Sequence, residues 1–316
     1  MIGESFYLSP IAHHIFYMPN LLDIRRRIKS VKNTQQITKA MKMLSAAKLK
    51  RAQDTVVAAR PFAGKMVDVL GELASRTDED FSHPLLDARG DERYLIVLVT
   101  ADKGLAGAFN TNLIKAAQAF MREHANKAIE MLPIGRKGRD FFRRREVAFV
   151  DEYVGLTGKG RIDYSEAVEI ARNVINRFTE DKSLDKVFLI YNEFKSVLQQ
   201  RVVIEQLLPV SRSAEPTGNA AAVDAQPRAE NLTEYIYEQS PAEIFSRLLP
   251  RLIETQIFRA LLESVASEHG ARMTAMDSAS KNASELIESL TLNMNRIRQA
   301  AITNEIIEVV SGASVQ

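Results

Sequence analysis

Between residues 267 and 313, apolar and small residues fall alternately three and four positions apart: Met273, Met276, Ser280, Ala283, Ile287, Leu290, Met294, Ile297 and Ala301. That spacing is the seam of a coiled coil, held for about four heptads without a proline. At ~1.5 Å per residue it predicts a rod of roughly 70 Å. One helix cannot bury such a seam alone, so a partner helix is required. After Ala301 the next seam positions are the polar Asn304 and Glu308, while Ile302, Ile306, Ile307, Val309 and Val310 spread over more than one face. A helix end apolar on several sides belongs inside something larger, such as a socket in another protein.

The partner helix is found at the other end of the chain. Leu21, Ile24, Ile28 and Val31, then Ile37, Met41, Leu44 and Leu49, repeat at helical spacing behind Asn20 as N-cap. This helix is expected to reach Arg60 or, through a kink at Pro61, Ala74. Between the two helices the period changes. Residues 94–99 form a continuous apolar, branched run, the mark of a strand buried on both faces. A glycine-bearing turn (100–110) and a helix (111–124) follow. Next come a strand (131–134), a basic turn and helix (135–145), a short strand (147–150), an amphipathic helix (164–179), and strands at 187–191 and 196–204. Such alternation predicts a compact α/β domain with a mainly parallel sheet. Ser240-Pro241-Ala242-Glu243 reads as a helix start. Pro250 and Gly270 are expected to kink or weaken the helix that follows.

The fold class expected is therefore α/β: a long antiparallel two-helix coiled coil formed by the N- and C-terminal helices, with an inserted Rossmann-like α/β domain. Its parts are an N-terminal extension (1–17), the first coil helix (18–75), the α/β domain (76–210), a flexible linker (211–234) and the second coil helix (235–316). Residues 1–17 lack the basic start and unbroken apolar core of a signal peptide. They read as a disordered extension ahead of a second natural beginning at Met18-Pro19-Asn20.

Charge changes this picture in one place. The 316 residues carry a net charge of only +2, yet residues 18–60 hold eleven basic side chains against Asp23 and Asp54, a net of +9. The closing helix is mildly acidic, so pairing absorbs part of the excess. The remainder must face solvent, nucleic acid, lipid headgroups or an acidic protein surface. A nucleic-acid-binding coil is the alternative reading, and steep loss of binding with salt would mark it. The chain has no cysteine and no tryptophan, which excludes disulfides and thiolate chemistry. No apolar run approaches the length of a membrane span.

Two loops suggest phosphate binding but lack the spacing for it. Lys103-Gly104-Leu105-Ala106-Gly107 follows a strand and precedes a helix without either nucleotide-binding glycine pattern. In Gly155-Leu-Thr-Gly-Lys-Gly160, Gly160 stands where a metal-binding Ser or Thr is needed. Both read as turns. No Ser, His and carboxylate cluster suggests catalysis, and no cofactor or metal is expected. Met41-Lys42-Met43-Leu44 is either an adaptable contact surface or coil core.

Taken together, several blocks resemble the gamma subunit of F-type ATP synthases. They are Ile24-Arg-Arg-Arg-Ile-Lys-Ser-Val-Lys-Asn-Thr-Gln-Gln-Ile-Thr-Lys-Ala-Met41 with Ala46-Ala47-Lys48, Thr100-Ala-Asp-Lys-Gly-Leu-Ala-Gly-Ala-Phe-Asn110, Ala271-Arg272-Met273-Thr274-Ala275-Met276, Asn295-Arg296-Ile297-Arg298-Gln299-Ala300, and Ile302-Thr303-Asn304-Glu305 through Gly312-Ala313. The likeness covers Met18 to Val315. Ala106 stands where the family commonly has Cys, Met294 where it has Tyr, and the cysteine-bearing insert of plastid versions is absent. The resemblance implies a non-catalytic rotor shaft at the cytoplasmic face of a bacterial inner membrane. The coil would turn inside a ring of alternating alpha and beta subunits. The α/β domain would sit against the epsilon subunit and the c-subunit ring, with membrane association only through the complex and no nucleic acid. It further implies coupling of proton flow to ATP synthesis, a part in regulating ATPase activity, and alpha/beta-ring contacts through Lys39, Met41, Lys42, Arg272, Arg296, Gln299, Thr303 and Glu305.

Overall fold

A computed structural model describes residues 21–76, 83–159, 161–210 and 240–313. The extension 1–17, the linker 211–234 and Gly160 lie outside the described residues. In chain order the elements are α1 (Leu21–Arg76), β1 (Arg93–Val99), α2 (Phe109–Glu123), β2 (Ala128–Ile134), α3 (Arg136–Arg143), α4 (Tyr164–Glu180), β3 (Lys186–Phe194), β4 (Gln200–Leu208) and α5 (Pro241–Ala313). Helix α1 continues through Pro61 and α5 through Pro250 and Gly270, so none of the expected breaks ends a helix. The chain divides into two units: residues up to Thr38 with those from Ala279 onward, and Lys39–Ser278.

In the first unit α1 and α5 pair through a seam. Ile24, Thr38, Ser280 and Ala283 are buried, and Gln35 Nε2 donates to Ser284 Oγ at 2.5 Å. Ile287, Leu290, Met294, Ile297 and Ala301 are half-buried, and every described side chain beyond Ala301 is exposed. The register accounts for this. With Gln35 opposite Ser284, the described start of α1 at Leu21 falls opposite Arg298 in an antiparallel pair, and α5 outruns it. One expectation is corrected here. Ile37 is 59% exposed, and Gln35 and Thr38 occupy the seam in its place.

In the second unit Lys42 meets Asp277 (2.6 Å) and Arg60 meets Glu263 (3.0 Å), so a later residue of α1 faces an earlier one of α5 and the helices are antiparallel. Ser45, Leu49, Ala52 and Val56 form the α1 seam, while Leu44, in the segment read as either contact surface or coil core, is 59% exposed. Small seam side chains let two helices approach closely.

The sheet has the order β2-β1-β3-β4, with β1 parallel to both neighbours and β4 antiparallel to β3. Leu95, Val97 and Val99 face a core shared with α4, α1 and α5, and Tyr94, Ile96 and Leu98 face a core under α2 and α3. Burial on both faces is why β1 reads as an unbroken apolar run, each such side chain contributing about 1.5–3 kcal/mol. The strand expected at 147–150 is reduced to one bridge, Met131 with Phe149, and a second bridge, Ile134 with Tyr153, follows just beyond it. The last strand begins at Gln200 rather than Ser196, because residues 196–199 make the hairpin turn, closed by Ser196 N–H on the Gln199 carbonyl. Helix α5 starts at Pro241 behind Ser240, as its sequence predicts.

Candidate partner interface

An open α/β sheet binds ligands at the carboxyl ends of its strands, where strand order reverses. Here the chain runs from β1 to β2 on one side and returns to β3 on the other, so the reversal lies beside β1. The chain itself occupies that place. Asp102, one turn beyond β1, is buried, and its Oδ1 accepts from the N–H groups of Gly155 (2.8 Å) and Arg136 (3.1 Å). Oδ2 accepts from Gly158 N–H (3.0 Å) and the Thr157 hydroxyl (2.9 Å). Burial alone would push this carboxyl up, but the donors of Gly155, Thr157, Gly158 and Arg136 together hold it below the ordinary carboxylate range. Gly135 brings the N-terminus of α3 to the carboxylate: its φ is +94°, and a Cβ there would lie 2.0 Å from the Thr100 carbonyl oxygen. The two glycine loops are thus joined by an internal anion, in the position a bound phosphate would take.

Helix α5 closes the rest of the crevice. Leu261 to Gly270 are ten consecutive buried residues, among them Glu263, Ser264, Ser267, Glu268 and His269. Arg272 donates to Glu268 Oε1 (2.6 Å) and to the Gly104 carbonyl (3.1 Å), tying α5 to the β1–α2 loop. Burial pushes the Glu268 carboxyl up and Arg272 pulls it back. His269 is pushed down to about 4 by burial, with Arg272 and Lys48 adding to the effect. Among the described residues, Glu268 Oε2 and His269 Nε2 have no hydrogen-bond partner. A further, partly buried pair links α5 to β4: Arg259 reaches both oxygens of Glu205 (3.1 and 3.2 Å), which also accepts from the Tyr191 hydroxyl (3.3 Å).

The residues singled out by sequence fall into separate groups. In the second unit Lys39 is exposed, Met41 is half-buried and Lys42 is paired with Asp277. Arg272 is buried in its pair with Glu268 rather than presented at the surface. Beside them Met43 and Leu44 are exposed. In the first unit Arg296, Gln299, Thr303 and Glu305 are all exposed on α5, with Ile302, Ile306, Ile307, Val309 and Val310 between 48% and 72% exposed around them. Arg60, Glu205, Arg259, Glu263 and Glu268 were missed. For Arg259, Glu263 and Glu268 the available signal was charge in a stretch of α5 otherwise apolar or small, which marks a helix buried on several sides; Arg60 on α1 and Glu205 on β4 carried no such signal. No described helix is long and apolar enough to cross a membrane.

This geometry, a two-helix coil with exposed ends and a sheet whose ligand crevice is self-filled, has counterparts among known proteins. The family model described as ATP synthase matches residues 20–315. The ATP synthase gamma chain of Solibacter usitatus is 53% identical over 300 residues, covering 94% of this chain and 99% of its own. Among solved structures, the chain is similar to one from the central stalk and c-ring of the Tetrahymena thermophila mitochondrial ATP synthase. That match has 25% identity and a TM-score of 0.57, over 77% of this chain and 99% of the other. A chain of the Euglena gracilis mitochondrial ATP synthase shares the fold at 20% identity, with a TM-score of 0.63 over 93% and 94%.

Proposed function

The chain belongs to the ATP synthase gamma chain family, and on that premise we propose that it is the central rotor shaft that couples proton flow through the membrane c ring to ATP synthesis, with a part in regulating ATPase activity. As a gamma chain it is a non-catalytic subunit of the ATP synthase complex, whose catalytic sites lie on the beta subunits. The observation that carries the shaft reading is the end of α5. Five branched apolar side chains, Ile302 to Val310, stand exposed on several faces where α1 no longer covers them. Water is a poor environment for such a patch, and a bearing formed by the alpha/beta ring is a good one.

In this reading the ring contacts are Lys39, Met41, Lys42, Arg296, Gln299, Thr303 and Glu305, with Arg272 engaging a beta carboxylate when it leaves Glu268. The basic flank of α1 faces acidic segments of the ring. The α/β domain meets the epsilon subunit and the c ring, and the protein is held peripherally at the cytoplasmic face of the inner membrane. A shaft shifts a catalytic site only by contacting its conformations unequally. An asymmetric pair of helices, basic on one flank and apolar at one tip, meets that requirement at each angle of rotation. The chain would be mixed with separately prepared alpha and beta subunits, beside a version truncated after Ala301. A complex that hydrolyses ATP, weakened in assembly or turnover by the truncation, supports the reading. A full-length chain that never joins alpha and beta overturns it.

A further inference from the structure

Strand β3 outruns β1. Their last register pair is Leu98 with Ile190, yet β3 continues to Phe194, so its edge toward β1 carries backbone groups with no strand opposite. Buried backbone donors and acceptors must be paired. Here side chains of the two long helices supply the partners. Asn192 N–H donates to Ser264 Oγ (3.2 Å), and Ser267 Oγ donates to the Asn192 carbonyl (3.3 Å). Phe194 N–H donates to Glu263 Oε2 (2.9 Å), and Arg60 Nη2 donates to the Phe194 carbonyl (2.9 Å). Arg60 also grips Glu263 through Nε (3.0 Å) and Nη2 (3.2 Å), so one ion pair joins α1, α5 and the end of β3. Glu263 is only 5% exposed in its side chain and Arg60 48%.

We infer that Arg60 and Glu263 are positioning residues that lock the angular setting of both helices on the sheet, so that torque applied to the α/β domain passes into the helices through this junction. The inference rests on the rotor reading. Apolar packing between helix and sheet is non-directional and resists separation more than it resists sliding or twisting. Hydrogen bonds weaken steeply when bent, and a bidentate guanidinium–carboxylate pair fixes orientation as well as distance. The junction binds α1 and α5 to the same strand residue, so neither helix can turn about its axis without breaking it.

The test uses the whole complex, reconstituted in sealed vesicles, with Arg60→Met and the conservative Arg60→Lys. Assembled gamma chain, ATP hydrolysis and protons pumped per ATP are measured together. Arg60→Met is expected to assemble and to hydrolyse ATP within about twofold of the parent, while protons pumped per ATP fall roughly threefold or more. Arg60→Lys, which keeps one charged donor, should restore about half of the loss. A merely structural role would lower hydrolysis and pumping in proportion, and that result, or an unchanged ratio, overturns the inference. If Arg60→Met does not assemble, Glu263→Gln takes its place: it keeps an acceptor for the Phe194 N–H but breaks the ion pair with Arg60, and an unchanged pumping ratio there is equally fatal. Failure of the parent chain itself to join alpha and beta would instead bring down the rotor reading beneath the inference.

Discussion

Replacing Asp102 by Asn tests whether an internal anion organises the strand ends. The carboxylate accepts four hydrogen bonds, from Gly155, Arg136, Gly158 and Thr157. Asn keeps one acceptor oxygen and turns an NH2 group toward the donors on the other side, so two of the four are lost. A hydrogen bond to a charged group contributes roughly 1.5–3 kcal/mol. Two of them amount to roughly 3–6 kcal/mol, and because water can reach the partly buried loop, a loss of about 2–4 kcal/mol is expected. Urea unfolding followed by tyrosine emission, which no Trp obscures, would measure it. Amide exchange at Gly155, Gly158 and Arg136 would localise it. The pH dependence follows from the direction of the shift. The folded carboxyl is held below its ordinary value, so its stabilisation is fully present above the unfolded value and disappears as pH falls through the folded one. The gap between parent and variant should therefore be flat above about pH 5 and shrink below about pH 4. A variant within about 0.5 kcal/mol of the parent, with the three amides equally protected, would refute the argument.

Two other substitutions probe the ionisable side chains that α5 turns inward. Arg259→Met leaves the Glu205 carboxylate buried without its guanidinium and should cost about 3–5 kcal/mol, with Arg259→Met/Glu205→Leu recovering most of it. Burial already pushes the Glu205 carboxyl up, so protonation relieves the single variant, whose urea midpoint should approach that of the parent as pH is lowered from 7.5 to about 5.5. The His269 ring, with its pKa pushed down to about 4, should stay neutral by NMR until well below pH 6, and stability should fall as pH drops from about 6.5 toward 4, a slope that His269→Gln removes. A ring titrating between about pH 6 and 7 would contradict the burial argument.

The sequence by itself determined what depends on local period and composition. The heptad from Met273 to Ala301, the unbroken apolar run of β1 and the helix start at Ser240-Pro241 each report how a segment places its side chains about its own axis. So do the many-sided apolar tip at Ile302 to Val310 and the basic flank of α1. The tertiary structure decided which of those faces meets what. Ile37 and Leu44 look like seam residues because they are apolar, but the register with α5 puts Thr38 and Ser45 inside and leaves both exposed. The segment at 147–150 has strand character, yet only one bridge, Phe149 with Met131, ties it to β2. Asp102 looks generic until the fold brings Gly155, Thr157 and Gly158 to it from more than fifty residues away. The same holds for Arg60 and Glu263, 203 residues apart and joined at Phe194. A side chain's own period says where it points, and only the packed chain says whether a partner stands there, because the energy of a buried charge is set by neighbours remote in sequence.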